Sequence, residues 1–154
     1  MWFRLVALAI GATSLLAADS DGLTPLLRAA ESDDTKAALQ LLSKGANPNE
    51  ASSTGVTPLW LASVNRNSEL VSALLKAGAN PNATLPGGET VLMAAAQAGN
   101  AELVESLLQG GAKVSTAGPD FGETALMVAA SSNQANVIRA LLKHGAPVDE
   151  LSKR

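Results

Sequence analysis

Cysteine and tyrosine are absent from the chain, histidine occurs once, and two tryptophans and two phenylalanines make up its aromatic content. Without cysteine there is no disulfide framework, no thiolate metal site and no cysteine nucleophile. A lone histidine cannot supply the nitrogen ligands that a zinc site needs once sulfur is unavailable. Basic residues form no run, and 11 Lys+Arg against 14 Asp+Glu leave a net charge of −3. The cationic face that displaces counterions from phosphates is therefore missing, which sets nucleic acid aside as a partner. With so few aromatics, the 47% of hydrophobic residues must build a core from Leu, Ala and Val. Such a core is ample for one domain of 154 residues, and Ala and Leu lean it towards helix.

No apolar run reaches the length of a membrane span. The opening MWFRLVALAIGATSLLAA carries Arg4 and then 14 apolar or small residues up to Ala18, short of the roughly 20 that a spanning helix requires. One basic residue, a short apolar stretch and small residues at its end match a secretory signal peptide over 1–18, with cleavage after Ala17 or Ala18. The expectation is export, periplasmic or secreted, with the membrane met only transiently through this segment. An uncleaved N-terminal tether, or an apolar helix packed on the domain, are the alternatives.

Beyond Ala18 one phrase is written four times. LLSKGANPN at residues 41–49 returns as LLKAGANPN at 74–82 and as LLQGGAKVS at 107–115. Each copy opens on Gly22-Leu-Thr-Pro-Leu, Gly55-Val-Thr-Pro-Leu, Gly88-Glu-Thr-Val-Leu or Gly122-Glu-Thr-Ala-Leu. A small pair follows (Ala29-Ala30, Ala62-Ser63, Ala95-Ala96, Ala129-Ala130), then paired apolar residues such as Leu70-Val71 with Leu74-Leu75. Each copy closes on Gly45, Gly78, Gly111 or Gly145, spaced 33, 33 and 34 apart. Self-similarity at this period marks a solenoid.

The parts have physical roles. Thr24, Thr57, Thr90 and Thr124 suit helix N-caps, and Pro25 and Pro58 suit the first helical position. The Ala pairs keep that helix slim. Asp33 or Asp34, Asn67 or Ser68, Asn100 and Asn133 are capping candidates for a second helix, whose apolar residues form one stripe. The closing glycines suit the left-handed turn by which each unit reverses into the next.

These residues resemble the ankyrin repeat, in which helix, turn and helix are followed by a projecting loop. The resemblance implies an all-α solenoid of helix-turn-helix units with hairpin-like loops over 19–154, with repeats at about 20–50, 53–83, 86–116 and 120–150. The family usually places His after Thr-Pro-Leu to hydrogen-bond neighbouring loops. Leu27, Trp60, Met93 and Met127 stand there instead, which exchanges a polar network for apolar packing and implies a less firmly specified loop register. Val91 and Ala125 replace the Pro, and an extra residue within 115–121 implies a protruding loop before repeat four. Ala37 and Ala38 weaken the stripe of repeat one, as an end repeat requires. Val137, Ile138, Leu141 and Leu142 make repeat four read like an internal unit, so its outer face is expected to be exposed and to fray first.

Signals for chemistry are weak. No Gly-x-Ser-x-Gly accompanies His144, which reads as a cation at a helix C-terminus. Asp33-Asp34 is explained by capping, and Gly87-Gly88-Glu-Thr is a turn that lacks the Gly-Lys-Ser/Thr ending of a phosphate loop. Asn82-Ala-Thr84 is a glycosylation acceptor only in a eukaryotic host. Trp60 reads as packing against the next unit. Phe121 reads either as an exposed anchor in the lengthened loop or as packing along the loop row.

The expected function is therefore a non-enzymatic, exported protein-binding module, monomeric, without catalytic residue, metal or cofactor. A structural element that self-associates through repeat four is the alternative. Members of the family use the concave face, built from loop tips and the exposed side of each first helix. By position the resemblance implies Ser20, Asp21, Leu23, Glu31 and Ser32 in repeat one, and Ser53, Thr54, Val56, Val64 and Asn65 in repeat two. Repeat three gives Glu89, Gln97 and Ala98, and repeat four Asp120, Phe121, Glu123, Ser131 and Ser132.

Overall fold

The computed structural model describes residues 22–118 and 122–149. The expectations for 1–18, and for Asp21, Asp120 and Phe121, lie outside these described residues. Among the described residues eight helices alternate between two roles. The first helices of the four units are α1 (Pro25–Glu31), α3 (Pro58–Val64), α5 (Val91–Ala98) and α7 (Ala125–Ser131). The second helices are α2 (Thr35–Ser43), α4 (Ser68–Lys76), α6 (Ala101–Gln109) and α8 (Ala135–Lys143).

Their starts are set by single side chains. Thr24, Thr57, Thr90 and Thr124 accept hydrogen bonds from the N–H groups of Leu27, Trp60, Met93 and Met127 at 3.1–3.4 Å. Asp34, Asn67 and Asn100 do the same for Ala37, Leu70 and Leu103. The fourth cap departs from expectation. Asn133 sits one residue before the cap position with φ 55°, and Gln134 occupies the cap without a capping bond. Its side chain lies instead over Gly99, where a Cβ would collide with the Gln134 amide. The expected cap of α8 is therefore missing, and one orphan N–H that a shorter Asn or Asp would satisfy goes without that partner.

The closing glycines behave as expected. Gly45, Gly78, Gly111 and Gly145 have φ between 80° and 96°. At Gly45 the N–H bonds to the Leu42 carbonyl and the next N–H, Ala46, to that of Leu41, both at 3.0 Å. The pair is a Schellman turn, and it recurs at the other three glycines.

The helices stack in two rows, α1–α3–α5–α7 and α2–α4–α6–α8, each unit leaning on the next. Between the rows lie Leu59, Leu70, Val71, Leu74, Val91, Leu103, Val104, Leu107, Val137 and Leu141, all essentially inaccessible. Small residues (Ala30, Ala62, Ala95, Ala96, Ala129) let the first helices approach closely. Among the described residues the architecture is the all-α solenoid that the repeat implies. The connecting loops reverse as short hairpins, two of them pinned by the isolated bridges Thr84–Thr90 and Ala117–Thr124. Successive hairpins touch. A Cβ on Gly55, already at φ 80°, would press within 3.0 Å of the Pro86 ring in the next hairpin.

Loop register is fixed after all, by asparagine rather than histidine. The Asn49 side chain donates to the Gly78 carbonyl at 2.9 Å and accepts from the Asn80 N–H at 2.7 Å. Asn82, one unit on, donates to the Gly111 carbonyl at 2.9 Å and accepts from the Lys113 N–H at 2.8 Å. A second set of ties runs along the helix turns: Asn67 donates to Asp33 and Thr35, and Asn100 to Ser68. The weaker specification expected from the missing histidines is thus corrected for units one to three. The corresponding position facing unit four holds Ser115, which has no amide to bridge with, and Pro147 stands where Asn80 and Lys113 supply the N–H.

Candidate functional site

Each first helix presents one side to solvent beside its hairpin, and the hairpins and first helices together form a single continuous surface. Glu89 and Glu123 occupy equivalent places on successive hairpins, one residue before the capping threonine. Hairpin geometry holds both: the Glu89 carbonyl accepts from Leu85 N–H at 2.9 Å, and that of Glu123 from Gly118 N–H at 2.8 Å. Neither carboxylate has a hydrogen bond or ion pair among the described residues.

Two adjoining depressions mark this surface. One, of about 360 Å³, is lined by Glu89, Met93, Gln97, Glu123, Val128, Ser131 and Ser132, with Gly87 and Gly118 at its edge. The other, of about 350 Å³, is lined by Trp60, Val64, Glu89, Ala94, Gln97 and Ala98. Glu89 and Gln97 belong to both, so the two form one groove across units two to four. Its floor is apolar, its rim carries two carboxylates, and among the described residues no Lys, Arg or His lines it.

Of the residues implied by position, Val64, Glu89, Gln97, Ala98, Glu123, Ser131 and Ser132 are brought together here. Val64 is 44% exposed, unusual for a large aliphatic side chain. Glu31 and Thr54 are exposed and Leu23 and Val56 half-buried, all outside the groove, and Thr54 shares a hydrogen bond of 2.9 Å with the Ser52 hydroxyl. Asn65 has a structural task. Its side-chain amide donates to the Ala30 carbonyl at 2.9 Å and ties α3 to α1.

Positional reasoning missed the floor. Met93, Ala94 and Val128 stand three or four residues before Gln97 and Ser131, so they share a helix face with them, and that spacing could have found them. Trp60 is partly buried against the core, and it also walls the groove. Its indole N–H is buried without an acceptor, an uncommon state for a buried donor.

His144 lies at the end of α8, and its Nε2 meets Glu105 Oε2 of α6 at 2.7 Å, with Lys143 Nζ at 3.1 Å from Glu105 Oε1. The His144 hydrogen bond, then that of Lys143, holds the Glu105 carboxyl below its usual range. This is a tie between units three and four rather than a base beside a nucleophile. The Asn82 side-chain amide bonds to Gly111 and Lys113 of the next unit.

A family model for ankyrin repeats (3 copies) matches residues 4–85 and again 84–151. The chain belongs to the ankyrin-repeat family. Ankyrin repeats are in general protein–protein interaction modules and typically non-enzymatic binding scaffolds. The first match reaches back into the apolar opening of the sequence. No curated protein matches the chain.

Proposed function

We propose that this ankyrin-repeat chain is an exported, non-enzymatic module that binds a protein partner on its concave face, as a monomer and without metal or cofactor. The observation that carries the reading is the groove across units two to four. It gathers seven of the residues implied by position around an apolar floor, and Val64 leaves a large aliphatic side chain open to water. Exposed apolar surface with a polar rim is what a recognition surface needs. The test is a pair of variants against an identified partner: Val64→Glu and Phe121→Ala should each weaken binding. If both leave it untouched, the concave assignment is wrong. N-terminal sequencing of the exported product tests processing after Ala17 or Ala18; an intact N-terminus in the membrane fraction would favour a tether.

A second reading is favoured by the outer end of unit four. Leu142 is 42% and Val148 69% exposed, around an apolar depression lined also by Leu126, Met127, Ala130, Ile138 and Pro147. A second copy could cover that face. Light scattering at tens of micromolar separates the two readings, and a monomer removes this one.

A further inference from the structure

We infer that the groove recognises a protein segment carrying an Arg or Lys beside an aliphatic or aromatic residue, an inference that rests on the concave-face reading and deepens it. Charge complementarity selects the occupant. Glu89 and Glu123 face one depression and, among the described residues, have no partner of their own and no cation on its walls. Two uncompensated carboxylates around one cavity favour a shared cation, and a guanidinium can serve both at once through its forked donors. The neighbouring depression offers Trp60, Val64, Ala94 and Ala98, which suit an apolar side chain and repel charge. Because Glu89 and Gln97 line both, an occupant reaching from one to the other places its basic and apolar groups side by side. The Trp60 indole has no hydrogen bond to give up, so it can shift to admit a side chain without losing one.

The test pans a random dodecapeptide display library on the full chain carrying Trp2→Phe, which leaves Trp60 as the one tryptophan. Selected peptides are then titrated by Trp60 fluorescence. Enrichment of Arg or Lys within a few residues of a large apolar residue is expected. So is about a tenfold loss of affinity in Glu89→Gln/Glu123→Gln, together with weakening at raised salt. Neither carboxylate is bonded in the fold, so the double variant should keep the parent's circular dichroism and melting temperature. Peptides that lack basic residues, or that bind the double variant equally well, overturn the inference; so does failure to select any binder. Peptides insensitive to the double variant but lost in Val64→Glu leave the concave reading standing, whereas insensitivity to both removes it too. A dimer of the unliganded chain that disappears in the double variant would assign the groove to a second copy and also overturn the inference.

Discussion

Units one to three and the junction of unit three with unit four are built from the same phrase, yet they are fastened differently. The first two junctions carry a neutral ladder, Asn49 to Gly78 and Asn82 to Gly111, closed on both sides by backbone groups. The third has Ser115 in the ladder position, an uncapped α8, and Glu105 held by an ion pair with Lys143 and a hydrogen bond with His144. Helices of one pattern can thus be joined by fixed dipoles or by charges. The asparagine ladder carries no charge for salt or acid to act on, although the first junction also sets the Asp33 carboxylate against Asn67; the Glu105 ties are charged and respond to both.

The contrast can be broken or sharpened in order of effect. Leu74 and Leu141 are equally buried, and Ala at either site should cost about 2–5 kcal/mol. Leu74→Ala should lower the whole unfolding transition, whereas Leu141→Ala should split off an early step confined to unit four. Urea denaturation followed by hydrogen exchange tells them apart, and a unit four as protected as unit two in the parent chain would contradict the distinction. Next comes Asn82→Ala, expected to cost about 0.5–1.5 kcal/mol by removing the bonds to the Gly111 carbonyl and from the Lys113 N–H, both on exposed residues. Ser115→Asn can regain only the half of the rung that donates to the Gly145 carbonyl, because Pro147 stands where Asn80 and Lys113 give an N–H, and should gain about 0.5 kcal/mol; chemical denaturation measures both.

Similar in size is Gln134→Asn, which restores the cap of α8 for about 0.5–1 kcal/mol, read as slower amide exchange in that helix. The smallest effect is that of acid. The folded Glu105 pKa lies below its ordinary 4.5, so its contribution is present above that value and is lost as pH falls through the lowered one. Unit-four amides should lose protection first on acidification, and Glu105→Gln should remove that difference.

The sequence carried the local devices well because each is complete within a few residues. Thr57 caps a helix whose first N–H groups lie three positions on, and Gly78 turns left-handed where its own helix ends. What it did not carry were the long-range partners. Asn82 repeats visibly, but its bonds reach 29 and 31 residues ahead, and only stacking reveals them. His144 was readable as a cation at a helix end, whereas Glu105 stands 39 residues away. Asn133 was misjudged as a cap because Gln134 takes that place and turns its side chain towards Gly99. At the candidate site, Glu89 and Gln97 followed from position in the repeat, the floor residues Met93, Ala94 and Val128 were within reach of helical spacing, and only the stacking of two helices shows that they line one depression.

The missing rung at Ser115 has a mechanical consequence. If the two ends of the described chain were drawn apart, load would concentrate at the joint with the fewest shared backbone bonds. Unit four would peel away as a fuse, lengthening the molecule while the three preceding units stay stacked.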